Sequence, residues 1–397
     1  MSYAAVLRIP HARRTFAAAL FGRLSYGMVS LSIVLAVKDA TGSYAVAGTV
    51  MALFGITSVF LSPARAALID RYGPRRALVP MAAVYAALLL LLAYAAQQSG
   101  ASGVLLGVLA VSAGACTPPL GPTMRALWGQ LLSSDRRLLQ RAYSLDGVAE
   151  ELLFVTGPLL VGLVVKFASP ALGVAVSAVL VLGGTLALVS SPAARSYPVR
   201  KESDPVVRAA VPWHPVLVVA GLGVALGALD LLVVAFADGH GRPEAVAWVL
   251  AALSAGSAVG GLVGGAVEWR IPAGRRLSMM AAGLGLAVAA AGFAPNLWVL
   301  GAAAVVAGLF VAPALTTGYL IADETAAPGT RTQAGAWVNT AVNAGMSGGS
   351  AAVGVLIGRL PLTLCFALAA APALLAALQR LRLRLPLAAE MVGDRSE

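Results

Sequence analysis

The chain has 397 residues, 59% of them hydrophobic and only 11% charged, with a formal net charge of +11. A soluble domain carries about 25% charged residues, so a mainly aqueous surface is excluded. Apolar runs of roughly 20 residues read as membrane-crossing helices, and they lack the period-two alternation of a membrane barrel. The positive charge calls for no nucleic-acid partner, because its placement is lopsided. With the topology below, only Lys38, Lys166, Arg242 and Arg359 fall on the outer side and Arg23 within a span; every other Lys and Arg lies on the inner side.

The first apolar run, 15–37, follows Arg8, Arg13 and Arg14 as a signal peptide would. It is too long for an apolar signal core and lacks a clear small-residue cleavage pattern, so an uncleaved first helix is expected. Eleven further spans are expected over 44–62, 77–97, 102–124, 143–166, 170–190, 215–237, 244–266, 277–294, 297–321, 333–357 and 361–379. Between spans two and three, Ser62 to Leu78 carries Arg65, Asp70, Arg71, Arg75 and Arg76, which marks it as cytoplasmic. An even number of spans then puts both termini in the cytoplasm, consistent with the Arg380, Arg382 and Arg384 cluster. The inner connection 191–214 mixes Pro, Ser and charge in the manner of a linker. It separates an N-terminal bundle (1–190) from a C-terminal bundle with a short cytoplasmic tail (215–397). The expected fold is all-α integral membrane, with twelve transmembrane helices in two pseudo-symmetric six-helix bundles.

The halves echo one another. At an offset of 200, Gly27 meets Gly227 and Arg75-Arg76 meets Arg275-Arg276. At an offset of 194, Gly107, Gly114, Pro119 and Thr123 meet Gly301, Gly308, Pro313 and Thr317. An ordered Gly/Pro series is hard to produce by chance even in an Ala-rich chain, and parallel six-span repeats are one of the transporter schemes.

Polarity is confined to certain spans. Spans three, six, nine and twelve hold no ionised side chain between their flanks, as peripheral supports would. Spans one, five and seven carry Arg23, then Asp146, Glu150 and Glu151, then Asp230. Asp146 and Glu150 share a helix face. Arg23 lies at a similar depth, so it is expected to pair with Glu150 or Glu151. That cluster is either a structural ion pair or a site handling substrate or protons. Asp230 has no basic residue at similar depth in its half, which suits proton coupling because desolvation favours a neutral carboxyl group; the alternative is a carboxylate reaching outer water. Thr117 and Thr316, with Asn339 and Asn343 on one face of span eleven, are candidate cavity groups for hydrogen bonding a solute, or else packing contacts.

With these residues in view, the chain resembles the major facilitator superfamily over nearly its whole length. The family's loop pattern Gly-x-Leu-Ala-Asp-Arg-x-Gly-Arg-Lys-x-x-Leu is met here from Ala66 through Asp70, Arg71 and Gly73 to Leu78, with Ala66 and Pro74 as departures. The resemblance implies two bundles rocking about a central site. It also implies an inner gate at Asp70, Arg71, Gly73 and Arg75, for which Arg125 and Arg331 are candidate cationic partners. Gly157-Pro158 through Gly162 resembles an element that exporters of this superfamily carry in helix five, with Val161 in place of one glycine; a helix bend and an export bias are what that implies. The Arg in helix four of many proton-linked exporters is Ala110 here.

Cys116 and Cys365 form no disulfide or metal pattern, and His11, His214 and His240 lie outside the spans. No enzyme, metal or other cofactor is therefore expected. The expectation is a monomeric secondary transporter in the cytoplasmic (inner) membrane, moving a small organic solute by alternating access and exporting it against protons. An uptake carrier for a sugar, amino acid or similar metabolite is the alternative.

Overall fold

A computed structural model describes residues 3–98, 100–198 and 210–382 of the chain, with side chains as far as Leu378. The charged middle of the expected linker, from Arg200 to Arg208, lies outside what it describes, as do Arg384 and the side chains of Arg380 and Arg382. Among the described residues every regular element is a helix. This is what lipid demands, since a helix satisfies its backbone polar groups internally.

The first half contains α1 (Tyr3–Arg8), α2 (Ala12–Thr41), α3 (Tyr44–Phe60), α4 (Ser62–Tyr72), α5 (Pro74–Ala95), α6 (Gly103–Cys116), α7 (Leu120–Leu131), α8 (Arg136–Phe167), α9 (Pro170–Val189) and the short α10 (Pro192–Arg195). The second contains α11 (Trp213–Gly239), α12 (Ala245–Ala266), α13 (Ala273–Ala291), α14 (Leu297–Thr325), α15 (Arg331–Leu356) and α16 (Leu362–Arg382). Helices stand at all twelve expected positions. Eight are long and apolar enough to cross a membrane, and α3 with α4, bent by 41°, makes a ninth. The described parts of α13, α15 and α16 fall short of that measure, α15 because Asn, Ser and Gly dilute it. Two compact units emerge: residues 1–210 with 326–340, and 211–325 with the rest. The start of α15 thus belongs to the first unit, a departure from a division purely along the sequence.

Both units are closed by glycine. In the first, α2 packs on α8 and α9, and α3 on α6. A Cβ at Gly157 would lie 2.3 Å from the Gly27 backbone, and one at Gly114 would lie 2.5 Å from the Phe54 carbonyl oxygen. In the second unit the repeat-related Gly227 faces the Met346 carbonyl at 2.0 Å and Gly308 faces that of Leu253 at 2.2 Å. Small residues let membrane helices approach closely enough for dispersion to hold them. Gly157→Ala is accordingly expected to lower thermal stability in detergent by about 1–3 kcal/mol. Gly162→Ala, facing open space, should leave stability unchanged or raise it by up to about 1 kcal/mol. Equal effects would contradict this packing. α8 runs through Pro158 as one helix, and the close approach falls at Gly157.

A real break occurs in span four, where Pro118 and Pro119 separate α6 from α7. Neither proline can donate the backbone bond that Gly114 and Ala115 would receive. Arg65 Nη1 donates to those two carbonyls at 2.9 and 3.0 Å and to Thr57 at 3.3 Å, while its Nη2 donates to Ser58. Arg65 is therefore buried, 6% exposed, and not a loop charge that orients the chain. The break also brings the N-terminus of α7 inside the span. That turn carries Gly121 and, one turn on, Arg125.

Candidate functional site

Four charged groups of the first unit converge in one quartet. Arg23 from α2, Arg125 from α7, and Asp146 and Glu150 from α8 meet through both carboxylates. Asp146 Oδ1 accepts from Arg23 Nη1 at 2.6 Å, and its Oδ2 lies 3.0 Å from Arg125 Nε without hydrogen-bond alignment. Glu150 Oε1 lies 3.0 Å from Arg23 Nη2, without hydrogen-bond alignment, and its Oε2 accepts from Arg125 Nη2. The quartet is charge-balanced, which offsets the cost of holding ions away from water. Its members differ in access: the Asp146 and Arg23 side chains are 0% and 2% exposed, Glu150 29%. Arg23 thus meets Glu150 as expected, with Asp146 added. Glu151, half-buried, is the neighbour that stands outside the four.

Arg125 was expected opposite Asp70 and is found here instead. The reason is the Pro118-Pro119 break, which starts α7 afresh and turns Arg125 toward α8. The signal in the sequence was the Pro-Pro pair inside an apolar run.

Asp70 is met by neutral donors. It is 3% exposed and accepts from the Tyr197 hydroxyl at 2.8 Å, the Gln333 N–H at 2.9 Å and the Thr332 N–H at 3.2 Å. The last two are free N–H groups of the first turn of α15, the positive end of a helix dipole. Arg331 lends its charge to Tyr197. Arg71 and Arg75 are exposed, Arg71 lying over the Tyr72 ring at 5.1 Å. Gly73, with φ 82° and ψ 158°, makes the turn from α4 into Pro74 and α5, a backbone conformation open only to glycine.

Tyr197 was missed, because it sits where linker composition begins. Residues 190–197 are an ordered strap: Arg14 Nη2 donates to Ser190 Oγ at 3.2 Å, Gln130 Nε2 to the Ser196 carbonyl at 2.9 Å, and Tyr197 also shares a hydrogen with Thr332 Oγ1 at 2.9 Å. Burial and the Asp70 carboxylate push the Tyr197 phenol above its usual range, so it remains a donor. Thr340 Oγ1 donates at 3.0 Å to the Val59 carbonyl, which Pro63 has no N–H to reach.

In the second unit Asp230 is half-buried late in α11, and among the described residues no hydrogen bond or ion pair reaches its carboxylate. Thr316 is buried on α14. On α15, Asn339, in the part that belongs to the first unit, and Asn343, in the second, are half-buried and both carry polar contacts. In the first unit Thr117 turns its hydroxyl to the Ala113 carbonyl at 3.3 Å.

The family model described as Major Facilitator Superfamily matches residues 15–241 and again 216–392. The chain belongs to that superfamily. This transporter is therefore a multi-pass membrane protein that moves small molecules by secondary transport, and it is not an enzyme. Its structure is similar to that of a bacterial homologue of the iron transporter ferroportin in the outward-facing state with soaked iron (TM-score 0.73, 14% identity, covering 93% of this chain and 98% of that one). It is also similar to the E. coli fucose:proton symporter FucP (TM-score 0.64, 18% identity, 96% and 99%) and the human organic anion transporter MFSD10 (TM-score 0.63, 14% identity, 93% and 99%). At these identities the likeness is one of fold. No curated protein matches the chain.

Proposed function

We propose that this transporter exports a small organic solute across the cytoplasmic membrane in exchange for protons, acting as a monomer with both termini in the cytoplasm. The observation that carries the coupling is Asp230. A carboxylate with no partner among the described residues can gain and lose a proton without breaking an ion pair, whereas Asp146 and Glu150 cannot. The inner gate in this reading is Asp70 on the first turn of α15, set by Gly73 and braced by Tyr197, with Arg71 and Arg75 on its exposed side. Export rests on the likeness of Gly157 to Gly162 to the exporter element of helix five. Uptake, the second reading, draws on the amides Asn339 and Asn343 as hydrogen-bonding groups for a neutral solute.

Direction is tested in cells expressing the chain, by mass spectrometry of their small-molecule content against cells expressing Asp230→Asn. At least one organic solute should be depleted by the wild type and restored by a protonophore. Enrichment in place of depletion would overturn export.

A further inference from the structure

We propose that the Arg23 and Arg125 guanidinium groups form a binding site for the carboxylate of an anionic solute, which Glu150 fills as a tethered stand-in when solute is absent. The inference deepens the reading of the chain as a solute carrier, and rests on it, by naming the substrate class.

The two carboxylates bridge the same two arginines but differ in kind. Asp146 is 0% exposed and reaches both guanidinium groups through a short side chain, so it fixes them side by side. One carboxylate balances one of the two positive charges. The second is matched by Glu150, which is 29% exposed; each carboxylate has one contact at 3.0 Å without hydrogen-bond alignment, so exposure is what separates them. The position of its carboxyl group is one that accommodates a carboxylate within ion-pair distance of two guanidinium groups, each offering it one nitrogen. With Glu150 swung aside, Asp146 would still hold the pair, now carrying one net positive charge.

Gly121, itself buried, lies directly beside the pair. A Cβ there would stand 3.6 Å from Arg125 Nη1, 3.8 Å from Glu150 Oε1 and 3.9 Å from Arg23 Nε, in ordinary contact with three of the four groups. A longer side chain would cover them. Gly121 also lies in the first turn of α7, whose N-terminal end inside the span favours a negative charge. A purely structural ion quartet does not need a partly open member.

Benzoate and its uncharged counterpart benzamide are the probes, titrated calorimetrically into the full chain in lipid nanodiscs. Removing the competitor by Glu150→Gln should tighten benzoate binding by about tenfold or more, and Gly121→Leu added to it should abolish binding; benzamide should bind neither form. Glu150→Asp, which shortens the stand-in and keeps its charge, should also tighten benzoate binding and serves if the glutamine variant does not fold. Benzoate binding that is no tighter in either Glu150 variant, that survives Gly121→Leu, or that benzamide equals, overturns the proposal. Binding needs no proton gradient, so a failure of coupling at Asp230 would leave these titrations unchanged.

Discussion

Asp146→Ala is expected to be the most damaging single change in the first unit. It leaves two buried guanidinium groups sharing the more open Glu150, and breaking a buried pair from one side costs about 3–5 kcal/mol. The wild-type geometry makes the loss two-sided, since Asp146 touches Arg23 at 2.6 Å and Arg125 at 3.0 Å. Thermal unfolding in detergent should show a large fall in midpoint or no folded protein. Pairing Asp146→Leu with Arg23→Met should recover much of the loss, because a buried ion pair exchanged for apolar groups of similar size is often neutral. A single variant as stable as wild type would contradict the quartet.

The second large effect is expected at Asp70. Its carboxylate accepts the N–H groups of Thr332 and Gln333 as well as the Tyr197 hydroxyl. Hydrogen bonds to a charged group contribute about 1.5–3 kcal/mol each. Asp70→Ala should therefore raise amide hydrogen exchange across residues 331–334 by roughly ten- to a hundredfold, as 1.4 kcal/mol is a factor of ten. Tyr197→Phe, which keeps the ring and removes one donor, should raise it by less. Unchanged exchange in Asp70→Ala would mean that the carboxylate does not hold the start of α15.

The fold was legible because lipid leaves few choices. Long Ala/Leu/Val runs can only be helices there, and the Gly27/Gly227 and Gly114/Gly308 echoes recur as close contacts in both units. Part of the quartet was legible too: Asp146 and Glu150 are one turn apart, and Arg23 lies at their depth. Arg125 and Arg65 were not. Counting charges on loops treats every arginine alike, while here two prolines free carbonyls that Arg65 must satisfy and restart a helix that re-aims Arg125. Asp70 stood out through its family pattern, but its partners did not. Two are backbone N–H groups, which no residue type announces, and the third is a tyrosine within linker-like sequence.

The proposed proton coupling through Asp230 is tested in proteoliposomes under an imposed pH gradient. A mixture of isotopically labelled small carboxylates, amines and polyols would be followed by mass spectrometry for wild type and Asp230→Asn. Wild type should accumulate at least one solute only while the gradient lasts, and Asp230→Asn should carry that solute downhill without responding to the gradient. Gradient-driven accumulation of the same extent in Asp230→Asn would contradict the account.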